Sequence, residues 1–583
     1  MKLLSAALAF ATMVVVSTVL LAFLGSGLNT HVAAGALICA TIVALAAWVT
    51  TGSPTLPKAR FWDQLMLIVF ALVSLRAFLW LVYKRGDEIC VLSPNNLGDL
   101  SLHLNLIRYL ASGIAFWPES SILSNVPLTY PLGSDLFNSV LEVLGVDTFA
   151  GLIWTGLAGA ALTGYALWLW GGAFGLAAFL FNGGLSGFAI LRTFELEDFQ
   201  SEMVWKNLFL SMFVTQRGLL MALPAGLILL YAWRERYFRG SKHVIPLWLQ
   251  LLIYASLPLF NIHAFLFLSL LLAAILAAQL AAARSWNPLA AGAPRELFAF
   301  VALALVPATL SILLVTGFFS MAGAIRWAPG WVAGGNLWGW IWNFGLTLPL
   351  SLVLAFMLFL NKDSEARCFV WTAVCIFALC CIVSFASWEW DNMKLMLWSW
   401  LVIAPYLWTK VIAKMNLAAR VAVCVVLFFS GAVSLIGGLD ARHGYALARR
   451  SELDAWKHAL AGIPPEVRFA CVPDYNHPLL LLGRKVACGY EGHLWSHGLN
   501  YHQNLDLLRK ALVGGAAWQE VASSLDVQWL ALRKADLPEV KPPGDPPPDD
   551  AFGALYDLAP IVRQDPASLE ARQLRPQSVD LPW

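Results

Sequence analysis

Residues 87–135 read DEICVLSPNNLGDLSLHLNLIRYLASGIAFWPESSILSNVPLTYPLGSD. They decide the fold because they form the longest polar break in the first three-quarters of a chain that is otherwise almost continuously apolar. The stretch gathers Asp87, Glu88, Asn95, Asn96, Asp99, His103, Glu119 and Asp135. Asp99 and His103 are four apart and lead into the apolar rhythm Leu104, Leu106, Ile107, Leu110, so a helix over LSLHLNLIRYLA puts both polar groups on one face. Asp99, just ahead of that helix, also fits an N-cap. Cap and functional carboxylate both stand open here, with Asp87 and Glu88 as alternative acids.

On either side of this break the composition is that of a membrane protein. The 583 residues are 59% hydrophobic and 13% charged, with 27 tryptophans and a mean hydropathy of +0.69, where a soluble fold carries about a quarter charged residues. Apolar windows of about twenty residues predict spans near 4–24, 31–50, 63–83, 149–170, 171–190, 209–232, 245–260, 264–283, 297–317, 336–360, 367–386, 395–411 and 418–438. The expected fold is therefore mainly α, a polytopic bundle of about thirteen spans. The piece 134–145 is too short to cross and reads as a helix at the membrane surface or dipping partway in. Lys2 and the apolar run after it resemble a signal peptide in charge but are long enough to span, so an uncleaved first helix is expected.

Charge sets the expected orientation. With Lys2 cytoplasmic, alternate loops carry Lys58 and Arg60; Arg234, Arg236, Arg239 and Lys242; Arg284 and Arg295; Lys362 and Arg367; Lys410, Lys414 and Arg420. The opposite loops hold 87–135, 192–206, 260–263, 320–336 and 387–394, and are richer in acid. The expected location is a bacterial inner membrane, with the N-terminus cytoplasmic and the polar residues gathered on the far face.

Residues 1–439 read as the membrane domain, with its large outer loop at 84–135, and 440–583 as an extracytoplasmic small α/β domain. There 452–463 reads as a helix, 467–473, 484–490 and 527–533 read as strands, and 542–550 (PPGDPPPDD) as a proline-rich loop. A net charge of +2 without a basic block gives no reason to expect a nucleic-acid partner. The nine cysteines show no metal spacing. Cys471 and Cys488 either pair, if that side is oxidising, or remain free thiols.

Further candidates sit on the same expected face. The ELED run (Glu195, Glu197, Asp198) with Glu202 reads as a solvated acidic loop, a second acid or a weak divalent-cation site. Arg217 lies about a turn inside an expected span, where an ionisable group points to function; a guanidinium there suits a phosphate. His263 stands beside Asn261 between two spans. The run WEWDNMK supplies Trp388, Asp391, Asn392 and Lys394, whose tryptophans alone fit interface anchoring but whose polar groups suit a sugar or phosphate. Residues 483–504 pack Tyr490, His493, Trp495 and His497 together; the glycines 492 and 498 favour a loop over a metal-binding helix.

The layout resembles the GT-C superfamily of polytopic glycosyltransferases, through an outward loop with an acid near its start, an amphipathic segment, and PLTYPLGSD (127–135), which contains Tyr130. WEWDNMK is similar to a late-loop element of some members, while the soluble part lacks the WWDYG signature of the oligosaccharyltransferases. The resemblance implies an enzyme that transfers sugar from a polyprenyl-phosphate-linked donor to a glycan, lipid or protein acceptor within a membrane-lipid setting. It implies inversion at the anomeric carbon, with Asp99 as base and Arg217, then Lys394, stabilising the leaving phosphate. His103, Tyr130, Glu195, His263, Trp388, Asp391, Asn392, Tyr490, His493 and Trp495 would contact substrate. No cofactor is required by this scheme; a divalent cation stays open. A transporter or flippase of a lipid-linked substrate, and a polysaccharide polymerase or ligase, are the competing readings.

Overall fold

The structure is a computed structural model of the whole chain. It describes all residues except 26, 54–57, 94, 201–202, 242–243, 290, 319–324, 333–335, 362, 441–443, 560–576 and 580–583, and omits the side chains of 95 and 578. Glu202, Lys242 and Lys362 therefore lie outside the described residues.

Helices dominate, and the chain is an integral membrane protein. Among the described residues eight helices are long and apolar enough to cross a bilayer: Lys2–Leu24, Thr30–Thr50, Phe61–Leu79, Thr148–Leu180, Ile262–Ala282, Ala293–Val315, the segment Glu389–Lys414 and Leu417–Gly438. A ninth is counted if Leu337–Phe344 and Thr347–Leu360, bent by 90°, form one span. Ile38, Ile42 and Leu45 stay more than 60% exposed along one helix, which suits lipid rather than water. Asn29, Asp147, Asn261, Asp363 and Asn416 cap five of these bundle helices through their side-chain oxygens, satisfying amide groups that have no partner inside a helix.

Five of the expected spans differ. The spans drawn at 149–170 and 171–190 are one helix, Thr148–Leu180, broken only at Gly172 (φ 59°, ψ −153°); beyond it the chain makes a short 3₁₀ turn and a single helical turn over 186–193. The window 209–232 is interrupted: Phe209–Phe213 is a π-helical turn and the straight helix begins only at Leu219. Leu247–Phe260 has 14 residues, short of the length needed to span unaided, and Ser364–Cys380 has 17, at the lower limit of that length. Apolar composition does not show where the backbone breaks.

The polar stretch folds against the end of the bundle. A hairpin, Val82–Arg85 with Glu88–Val91, leads into the helix Asn95–Ala111, and Gly133–Val143 forms a further helix. Its residues Gly133–Leu136 and Asn138–Val140 are buried, and Ser139 Oγ donates to the Ile107 carbonyl, so it packs against Asn95–Ala111.

The C-terminal segment carries a five-stranded sheet. Parallel Arg468–Ala470, Lys485–Val486 and Trp529–Arg533 continue through antiparallel Gly553–Asp557 to Gln577–Ser578. Helices Arg450–Ala459, His502–Leu512 and Trp518–Ser524 accompany it. Tyr445–Arg449 pairs instead with Glu88–Val91 of the 82–91 hairpin. Glu119 holds Arg468 at 2.8 Å and Lys485 at 2.9 Å, tying the loop to the sheet. Cys471 and Cys488 are free, buried thiols; burial pushes the Cys488 thiol up to about 12.

Candidate functional site

The sequence pattern that puts Asp99 and His103 on one face holds, but Asp99 is not a cap. The helix starts at Asn95, so Asp99 lies inside it with its side chain free for other work. Both residues face a cavity of about 1100 Å³ that is enclosed by the loop helix, the 129–131 turn, the segments 203–218, 260–266 and 385–394, and the C-terminal residues 493–497.

Asp99 has part of its surface on the cavity and makes no hydrogen bond to any described residue. Protein surrounds it closely enough that desolvation raises its carboxyl above the usual carboxylate range; nearby His103 and Lys394 act against this, and Asp391 adds to it. His103 is 2% exposed, and its Nδ1 lies 2.8 and 3.0 Å from the two oxygens of buried Asp135. A carboxylate accepts, so Nδ1 donates the proton of this hydrogen bond. The Tyr130 ring lies 6.1 Å from that of His103 and 5.0 Å from that of His497. Burial raises the Tyr130 hydroxyl well above its ordinary value, which keeps it a neutral donor.

Across the cavity stand the cations. Lys394 is paired with Asp391 at 3.0 Å. Lys206 has no carboxylate within ion-pairing distance among the described residues; its Nζ lies 6.0 Å from the ring of Trp390. The acids of 192–206 stand out in the sequence and Lys206 does not, its only signal being its position at the end of that loop. Gly218 lets its turn close the wall, since a Cβ there would lie 2.0 Å from the Phe260 carbonyl oxygen. Ile262, Leu266, Ile312 and Val315 make one side of the cavity apolar. His263 lies on this wall as well.

At the rim the Trp388 and Trp390 rings are 5.1 Å apart, and Trp495 lies 5.7 Å from Trp388. Trp388 and Trp495 are 37% and 46% exposed, a broad aromatic face beside the opening. Glu389 is paired with Arg326.

The residues 491–496 form a short helix rather than the expected loop, and Gly498 (φ 66°) ends it. His493 Nε2 lies 3.0 Å from the Gly98 carbonyl oxygen. Burial lowers His493 to about 4 and His497 to about 3, so both rings are neutral near pH 7. Among the described residues no group of three His, Cys, Asp or Glu side chains has metal-binding geometry.

Several candidates lie away from the cavity. Asp87 accepts from the Ser451 amide (3.0 Å) and hydroxyl (2.6 Å), capping the helix Arg450–Ala459 across 364 residues. Glu88 pairs with Arg85 at 2.8 Å. Glu195 is on an exposed loop, and Tyr490 packs on Tyr475 with 37% of its surface exposed. Asn392 is fully buried and bound to backbone at Phe385, Cys380 and Val383, a structural tie rather than a surface for ligand. Arg217 is 1% exposed and donates to the Leu152 carbonyl and to Thr155 Oγ1. Its neighbours Gln216 and Gly218 line the cavity; Arg217 itself lies behind that wall, where Asp135 is the carboxylate acting on it.

No protein-family profile matches the chain, and no curated protein sequence matches it. Among solved structures, the archaeal oligosaccharyltransferase AglB from Archaeoglobus fulgidus, in complex with an inhibitory peptide and a dolichol-phosphate, is similar with a TM-score of 0.42 and 11% sequence identity, over 81% of this chain and 69% of that chain.

Proposed function

We propose that this chain is a membrane glycosyltransferase that moves a sugar from a polyprenyl-phosphate-linked donor to an acceptor hydroxyl on the non-cytoplasmic face. The observation that carries the reading is one cavity that joins a desolvated carboxylate (Asp99) and an ammonium (Lys206), neither of them paired among the described residues, to an apolar wall. The transfer needs one group of each kind.

The acceptor oxygen attacks the anomeric carbon, and the bond from that carbon to the phosphate oxygen breaks on the opposite face, inverting the centre. As the acceptor O–H bond weakens, its proton passes to Asp99; a base of raised pKa is better matched to this task than an ordinary carboxylate. Charge builds on the departing phosphate, where Lys206, seconded by Lys394, stabilises it. Ile312, Val315 and Leu266 offer the prenyl chain a surface at membrane depth, and Trp388 with Trp495 offers the acceptor sugar an aromatic face.

The geometry favours this over a flippase, since the ionisable groups of the cavity gather at the loop end of the bundle instead of continuing through it. Asp99→Asn tests the proposal. In cells carrying only the variant, the envelope glycan product falls by about 10²- to 10⁴-fold while the amount of chain in the membrane is unchanged. Normal product from Asp99→Asn cells overturns the assignment.

A further inference from the structure

Asp99 has an unusual dependence on its surroundings. No described residue hydrogen-bonds to its side chain, so the place of the carboxylate is set by the backbone of the helix Asn95–Ala111 alone. Among the described residues, the side-chain hydrogen bond that reaches its first turns from another element is made at the carbonyl oxygen of Gly98, which receives His493 Nε2 at 3.0 Å and, within the helix, Ser101 Oγ at 2.7 Å.

His493 comes from the other end of the chain, 395 residues away. A carbonyl oxygen only accepts, so Nε2 carries the proton and Nδ1 is the lone-pair nitrogen. That Nδ1 is buried and has no partner among the described residues, so the ring is oriented by the single bond to Gly98. Its side chain is 6% exposed, and the neighbouring Trp495 and His497 rest on Trp388 and Tyr130. The short helix Glu491–Ser496 therefore lies against the cavity, and among the described residues its one polar contact with the loop helix is adjacent to the proposed base.

We propose that His493 is a positioning residue: by donating to the Gly98 carbonyl it fixes Asp99 in the cavity and keeps water from entering beside its carboxylate. This deepens the functional proposal and rests on it for its catalytic meaning, but its physical content can be tested without substrate. Groups facing Asp99 are His103 on its own helix, Tyr130 on the 129–131 turn, and Lys394 with Asp391 on the opposite wall. Groups facing His493 are His103, His497 and Tyr490. None of these changes when His493 alone is replaced.

The probe is dicyclohexylcarbodiimide, which adds to a protonated carboxyl in an apolar setting, applied to the full chain in membranes and read by the mass of the peptide containing Asp99. In the wild type, labelling persists to a higher pH than the usual carboxylate range, and Asp99→Asn removes the signal. His493→Phe keeps the ring volume and loses the donor. Without that bond the first turn of the loop helix is free to shift and admit water beside Asp99, and the labelling midpoint falls by about one pH unit. His493→Gln, whose amide can still donate, recovers at least half of that shift. If His493→Phe does not yield folded chain, His493→Asn, too short to reach Gly98, replaces it. An unmoved midpoint in folded donorless chain overturns the inference. The two proposals fail separately: glycan made by Asp99→Asn cells removes the functional reading and leaves the labelling result standing, whereas an unmoved midpoint beside an inactive Asp99→Asn removes only the positioning role.

Discussion

Replacing Lys206 by Gln separates the two lysines of the cavity. Lys394 is already engaged by Asp391 at 3.0 Å, so much of its charge is spoken for; Lys206 has no carboxylate within ion-pairing distance among the described residues, and only the Trp390 ring and the more distant charge of Asp198 act on it. A hydrogen bond to a charged group contributes about 1.5–3 kcal/mol, which converts to about a 10- to 150-fold loss of rate. Lys206→Gln is therefore expected to lower turnover by that factor, and Lys206→Arg to retain part of it because a guanidinium also pairs with phosphate. Lys394→Gln acts differently, since it strands Asp391 and removes a charge that favours the ionised form of Asp99. The assay uses membranes containing the variant, supplied with polyprenyl-linked sugar extracted from the same cells, with product measured by mass spectrometry against the amount of chain. A Lys206→Gln rate within about threefold of wild type lies below the smallest loss expected for a charged hydrogen bond and refutes the view that this ammonium meets the leaving phosphate.

Two other outcomes rest on the same geometry. Acid should loosen the fold: unfolded histidine titrates near 6.5, whereas His493 and His497 are held down to about 4 and about 3. As pH falls below 6.5 the unfolded chain takes up protons first, so stability that is complete above this value is lost at roughly 1.4 kcal/mol per pH unit for each ring, and melting of the solubilised chain between pH 7 and 4 should show it; a flat profile contradicts the burial of these rings. Trp495→Ala, which removes half of the exposed aromatic face, should raise the acceptor KM roughly two- to tenfold with turnover preserved, and an unchanged KM excludes that surface from acceptor binding.

Much of the architecture is legible in the sequence because its signals are local. Twenty-residue apolar runs mark the bundle, four-residue spacing puts Asp99 and His103 on one face, and alternating short runs locate the strands at 468–470 and 529–533. The remainder depends on long-range partners. Nothing near His103 in sequence announces Asp135, 32 residues on, and nothing near Asp87 announces the helix it caps. Arg217 reads as a phosphate ligand by type and depth, yet side-chain direction, which composition does not encode, sends it behind the wall toward Leu152 and Thr155. Lys206 escapes notice for the opposite reason: its neighbours in sequence are acidic and conspicuous, and its value lies in which carboxylates fail to reach it.

The strand Tyr445–Arg449 completes a sheet begun by Glu88–Val91. During synthesis at about 5–20 residues per second, the early hairpin waits on the order of twenty seconds to a minute before its third strand emerges. Throughout that interval its open edge is a place where a chaperone, or a second nascent copy, can pair instead. Premature termination between the hairpin and that strand yields a product with a permanently sticky edge, so quality control of this protein is expected to act on chains truncated in that interval.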